Sequence, residues 1–178
     1  SVEWAEILDP QHSVVWVAVP HHGCRTYAPE ECTLAADLLE VLHAGGLGWD
    51  AMGVVVPYRR QARYLRQRLA AHQPDRRAPA ALVIDTVERM QGQEREVVLV
   101  SFTTSDEEFA WRLQEFLLLP QRLNVAATRP RTKLIVLASP ALLAFAERRF
   151  DADGAGCFVS LLASAHRVDV PLPHGGEG

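Results

Sequence analysis

Apolar residues in this chain come in short unbroken runs, separated by stretches with a helical beat. Val14 to Val19, Met52 to Val56, Leu82 to Asp85, Val97 to Phe102 and Lys133 to Ala138 are of strand length and do not alternate with polar residues. A strand that is apolar throughout is one covered on both faces. Between the runs, Leu34, Leu38, Leu39, Val41 and Leu42 fall at helical spacing over Glu30 to His43, and Gly45-Gly46 stops that helix. Ala62, Leu65 and Leu69 form the inner stripe of a second helix, from Tyr58 to about His72. A polar, partly helical insertion is predicted from Thr104 to Leu119, then a helix over Gln121 to Thr128 and another from Pro140 to about Phe150. Strands separated by helices predict a three-layer α/β/α sandwich on a mainly parallel sheet. Residues 1–165 read as one domain, and 166–178, with Pro171, Pro173 and Gly175-Gly176, as a disordered tail.

Composition narrows the class. At 178 residues the chain is long enough for one substantial core. Nothing reads as a signal peptide, and no apolar run approaches a membrane span. Three cysteines, Cys24, Cys32 and Cys157, form no paired spacing, which argues against a disulfide framework and for a reducing, cytoplasmic setting. His21, His22, Cys24 and Cys32 are metal-binding residue types, but no second CxxC or HxxxH half completes a zinc pattern, so loop and core roles are expected and no metal is assigned. The net charge of −4 hides an asymmetry. Arg25 is the only basic residue before position 51, whereas Arg59, Arg60, Arg63, Arg66, Arg68, Arg76 and Arg77 cluster against the single acid Asp75. Such a cluster makes either a basic surface for phosphate or a solvated helix face.

Three blocks carry candidate chemistry. In Leu123-Asn124-Val125-Ala126-Ala127-Thr128-Arg129-Pro130-Arg131, a short amphipathic helix delivers an arginine next to a buried strand. A guanidinium there either neutralises a phosphoryl group, as an arginine finger does, or caps the helix. In Ile84-Asp85-Thr86-Val87-Glu88-Arg89-Met90-Gln91-Gly92-Gln93-Glu94, Gly92 permits a turn flanked by an amide and a carboxylate. In Met52-Gly53-Val54-Val55-Val56-Pro57-Tyr58-Arg59-Arg60-Gln61, a strand runs into a helix N-terminus, where phosphate is favoured. Each block follows a predicted strand, so all three are expected to converge on the carboxyl edge of the sheet. A metal-nuclease reading of Asp85, Glu94 and Glu96 fails for want of a lysine two residues after the second acid; Glu96 stands there.

In order and spacing these blocks resemble motifs IV, V and VI of the superfamily 1 helicases, over roughly residues 14 to 140, and most nearly the 1B branch that includes the nonsense-mediated-decay RNA helicase. The resemblance implies a second RecA-like motor domain, a P-loop NTPase fold without its own P-loop. By that likeness Arg129 is the arginine finger, with Arg131 at a second basic position, and Gln91, Gly92 and Glu94 link the ATP site to the nucleic-acid groove. Gln61, Tyr58 and Arg59 would face nucleotide, and Thr86 a phosphate of the bound strand. Arg60 is the other candidate for phosphate, and the pattern does not choose between Arg59 and Arg60. Glu88 and Met90 depart from the usual aspartate and phenylalanine; neither removes chemistry. Glu31 aligns with a glutamate ahead of the first helix and receives no role.

No GxxxxGK[ST] occurs, and no aspartate-glutamate pair follows a strand to hold magnesium. The implied cofactor is therefore ATP with Mg2+, held mainly by an N-terminal RecA-like domain of the same polypeptide, and the implied partner is single-stranded DNA or RNA moved 5′ to 3′. The isolated chain is expected to be inactive. A degenerate, ATP-independent module that binds nucleic acid or protein is the alternative; the intact set Gln91, Gly92, Glu94, Thr128, Arg129 and Arg131 speaks against it.

Overall fold

The computed structural model describes residues 2–90, 94–113, 130–149 and 153–171. Along the chain run α1 (Trp4–Ile7), β1 (Val14–Ala18), α2 (Pro29–Ala44), β2 (Met52–Val55), α3 (Arg59–His72), β3 (Val83–Asp85), α4 (Val87–Met90) and β4 (Arg95–Ser101). There follow α5 (Glu107–Ala110), β5 (Pro130–Ala138), α6 (Pro140–Arg149), α7 (Asp153–Ser164) and β6 (His166–Asp169). The six strands form one sheet in the order β3-β2-β4-β5-β1-β6, and every pairing is parallel.

Alternate residues of each strand feed two cores. Val15, Val17, Val54, Leu99 and Ile135 pack on one face with Leu34, Leu38 and Leu39 of α2 and Leu65 and Leu69 of α3. Trp16, Val55, Val98, Val100 and Val136 pack on the other with Leu142 and Ala146 of α6 and Phe158 and Leu162 of α7. With helices on both faces, neither side of a strand can be polar, which is why the strands read as continuous apolar runs. The expected three-layer, RecA-like α/β architecture is the one observed.

One boundary is corrected. His166–Asp169, expected in a disordered tail, is a strand in register with β1, pairing Val15 with His166 and Ala18 with Asp169. It is short and polar because it lies at the sheet edge, where only Val168 is buried. The rest of the expected tail, 172–178, lies outside the described residues, as does the predicted helix at 121–128. β4 and β5 also start earlier than their apolar runs, at Arg95 and Pro130, because strand pairing continues past the core to the rim. Lys133 is an unusual strand residue: its ammonium is buried and donates to the carbonyls of Ile7 (2.8 Å) and Asp9 (2.7 Å), pinning the end of α1.

Candidate functional site

The described parts of the three motif blocks do not share the single edge that the sequence suggests. Pro57 and Tyr58 follow β2 and Thr86 follows β3, at the carboxyl rim. The chain then crosses back through α4, so that Glu94 immediately precedes β4 and Pro130 opens β5, both at the amino rim. The reason is the shortness of the crossover. Only Thr86 to Glu94 separates β3 from β4, and a parallel connection must return to the opposite edge.

At the carboxyl rim Val56, Arg59, Ala62, Arg66, Asp85, Thr86 and Arg89 line a cleft of about 200 Å³. Three guanidinium groups there face one carboxylate. Arg66 donates to the carbonyl of Ile84, Arg89 lies 3.8 Å from Asp85, and the Thr86 amide donates to the Asp85 carboxylate at 2.8 Å. Excess positive charge around a hydroxyl at a strand end suits a phosphodiester oxygen.

The other carboxyl-rim candidates divide. Tyr58 is half-buried, its ring 5.8 Å from that of Phe109, and burial pushes its phenol pKa up. Arg60 points away onto the rings of Tyr27 (5.5 Å) and Tyr64 (5.7 Å) and donates to the Thr26 hydroxyl. Gln61 is 1% exposed, and its amide is committed inside the domain. Its Oε1 accepts from the Ala28 amide (3.0 Å) and its Nε2 donates to Ser101 (3.1 Å). That geometry makes Gln61 a brace between α3, β4 and the start of α2.

Gln61 belongs to a buried polar network that sequence reading missed. Glu31, fully buried in the first turn of α2, accepts from His21 Nε2 (2.5 Å), the Ser101 hydroxyl (2.8 Å) and the Thr103 amide (3.0 Å). His21 Nδ1 in turn meets the Ser105 hydroxyl at 2.7 Å. A carboxylate can only accept, which puts a proton on Nε2; in the neutral imidazole the Nδ1 lone pair then faces Ser105. Thr103 sits at φ +68°, a strained backbone for a β-branched residue, and its amide is held by Glu31. The available signal was the run Ser101-Phe102-Thr103-Thr104-Ser105: small polar residues directly after a buried strand need partners.

At the amino rim Arg95 pairs in register with Pro130, and the Thr132 hydroxyl donates to Glu96 at 2.6 Å. Glu94 is exposed. Arg131 follows Pro130 in β5, but its side chain lies outside the described residues, as do Gln91, Gly92 and Arg129 altogether.

Residues 5–141 match the family model described as an AAA domain. The chain is 38% identical over 128 residues to the MOV-10 protein of Gallus gallus, a match covering 68% of this chain and 11% of that protein. It is 36% identical over 109 residues to the DNA replication ATP-dependent helicase/nuclease DNA2 of Mus musculus, covering 61% and 10%. With the DNA polymerase alpha-associated DNA helicase A of Saccharomyces cerevisiae it shares 31% identity over 113 residues, covering 64% and 16%. The chain thus spans between about a tenth and a sixth of the length of these relatives.

Proposed function

The chain belongs to the AAA domain family as a motor domain of the superfamily 1 helicases, and on that premise we propose that it supplies one half of a split ATP site. Arg129 is the arginine finger, acting on Mg2+·ATP held by a separate P-loop-bearing RecA-like domain. Glu94 and Gln91, with the turn at Gly92, connect that site to the strand groove, and Arg131 adds a second cation.

What supports this reading most is the register of Arg95 with Pro130. It brings the residue after Glu94 level with the residue after Arg129, although the two blocks are far apart in sequence. Glu94 and the start of β5 at Pro130 thus meet on one rim, which a separate nucleotide-holding domain can close against. The excess of arginine around Thr86 on the opposite rim supports a backbone grip on single-stranded nucleic acid. Phosphate contacts of this kind carry no sequence preference and serve DNA and RNA alike. Membership of the 1B branch and 5′-to-3′ movement belong to the same proposal. A strand-displacement assay on tailed duplexes checks the direction, and opening of 3′-tailed substrates alone would refute it.

In the full-length protein, Arg129→Ala should lower ATP turnover by about 10³-fold or more, the usual loss on removing such a finger. Strand binding measured by anisotropy should stay close to wild type. Undiminished hydrolysis in Arg129→Ala would sink the split-site reading. The chain by itself should release no phosphate from ATP.

A further inference from the structure

We propose that His21, Cys24 and Glu30 form a site for one divalent cation of zinc-like preference, independent of the nucleotide and strand sites. His21 lies just beyond β1, Cys24 in the following loop and Glu30 in the first turn of α2. Gly23, at φ +73°, turns the loop back so that one donor atom from each residue lies within 4.8 Å of the others. Metal–ligand bonds of about 2.0 to 2.3 Å put tetrahedral donors roughly 3.3 to 3.7 Å apart. Closing the set therefore takes about 1 Å of movement, within the reach of Glu30 and Cys24 side-chain torsions.

Two independent features point to a cation. The first is the oriented histidine. Glu31 holds the proton on Nε2, the carboxylate–imidazole arrangement that fixes a metal-ligating histidine through its second nitrogen. The cation would replace the Ser105 hydroxyl as partner of the Nδ1 lone pair, while Ser105 keeps the Cys24 amide at 3.0 Å. The second is Glu30 Oε2, which is buried and has no hydrogen-bond partner among the described residues. A carboxylate oxygen withdrawn from water with no donor is an unfavourable state that a cation would relieve.

Charge and donor chemistry set the ligand class. Burial raises the Cys24 thiol pKa, and the charges of Glu30 and Glu31 add to it; a coordinated cation reverses this, and binding releases the thiol proton. One sulfur, one imidazole nitrogen and one carboxylate suit Zn2+ or Co2+, whereas Mg2+ and Ca2+ want oxygen alone. Three protein ligands leave a fourth position for water. The bound ion would tie the loop after β1 to the start of α2.

Titration of the metal-free chain with Co2+ tests this. One equivalent should produce a thiolate-to-cobalt charge-transfer band in the near ultraviolet, together with visible ligand-field bands, and Zn2+ should erase both. Cys24→Ser should remove the charge-transfer band with an unchanged circular dichroism spectrum. Cys157→Ser and Cys32→Ala should retain it. Glu30→Gln should weaken Co2+ binding at least about tenfold. No charge-transfer band at one equivalent, a band that survives Cys24→Ser, or unaltered affinity in Glu30→Gln overturns the proposal.

Discussion

At the scale of single residues, Glu31 organises the carboxyl rim. Its carboxylate ties α2 to the loop after β1 through His21, and to the end of β4 through Ser101 and Thr103. Removing it leaves three buried donors unsatisfied and releases the left-handed backbone at Thr103. Breaking a buried hydrogen-bonded pair in this way costs about 3–5 kcal/mol. At roughly 2–4 °C per kcal/mol for a domain of this size, Glu31→Ala should lower Tm by about 6 to 20 °C. Thermal unfolding followed by circular dichroism checks this; a shift of a degree or so would show the network idle. In the sequence only the polar run Ser101 to Ser105 hints at this network, and nothing there points to Glu31. A buried acid is recognised only by its partners, and those lie 10, 70 and 72 positions away. Gln61 shows the converse, because its place in a motif pointed outward to nucleotide while its amide turns inward to Ala28 and Ser101.

At the scale of elements, sequence reading succeeded wherever burial alone sets the structure. α2 was expected from Glu30 to His43 and runs Pro29–Ala44, with Pro29 in its first turn and Glu30 and Glu31 favourably near the positive end of its dipole. β4 and β5 were expected too short, since their first residues pair as backbone without burying apolar side chains. β6 was missed for the same reason. The packing of α2 on α3 carries its own titration. The Cys32 thiol, buried between them, donates to the Gln61 carbonyl at 3.7 Å, and burial pushes its pKa up to about 12 from 9.0. The unfolded chain gives up this proton near pH 9.0 while the folded one keeps it. The contribution is therefore whole below pH 9.0 and is lost as pH rises toward about 12. Wild-type Tm should fall more steeply above pH 9.0 than that of Cys32→Ala, whose side chain cannot ionise. Parallel pH profiles would contradict this account of the α2–α3 seam.

For the whole molecule, the proposed strand grip and the proposed nucleotide-facing surface fall on opposite rims of one parallel sheet. Each block follows a strand in sequence, and strand ends alone would place all the motifs on one edge. The error came from the brief β3–α4–β4 crossover, whose far end already belongs to the next strand. Met90 anchors that crossover: it is fully buried, and its terminal methyl lies over Gly53 of β2, 2.7 Å from where a Cβ would stand. If the rims divide the work, substitutions on them should separate. Arg59 lines the carboxyl-rim cleft with Thr86, and neutralising one phosphate contact on a single strand should reduce the salt dependence of log affinity by about 0.7. In the full-length protein, Arg59→Ala should therefore bind single strands more weakly at low salt, with a shallower slope against log salt concentration. Its ATPase should still reach the wild-type maximum once the strand saturates. Arg129→Ala should show the reverse pattern, an intact slope and a collapsed maximum. A loss of maximal turnover in Arg59→Ala, with the salt slope unchanged, would mean that the two rims do not divide the work.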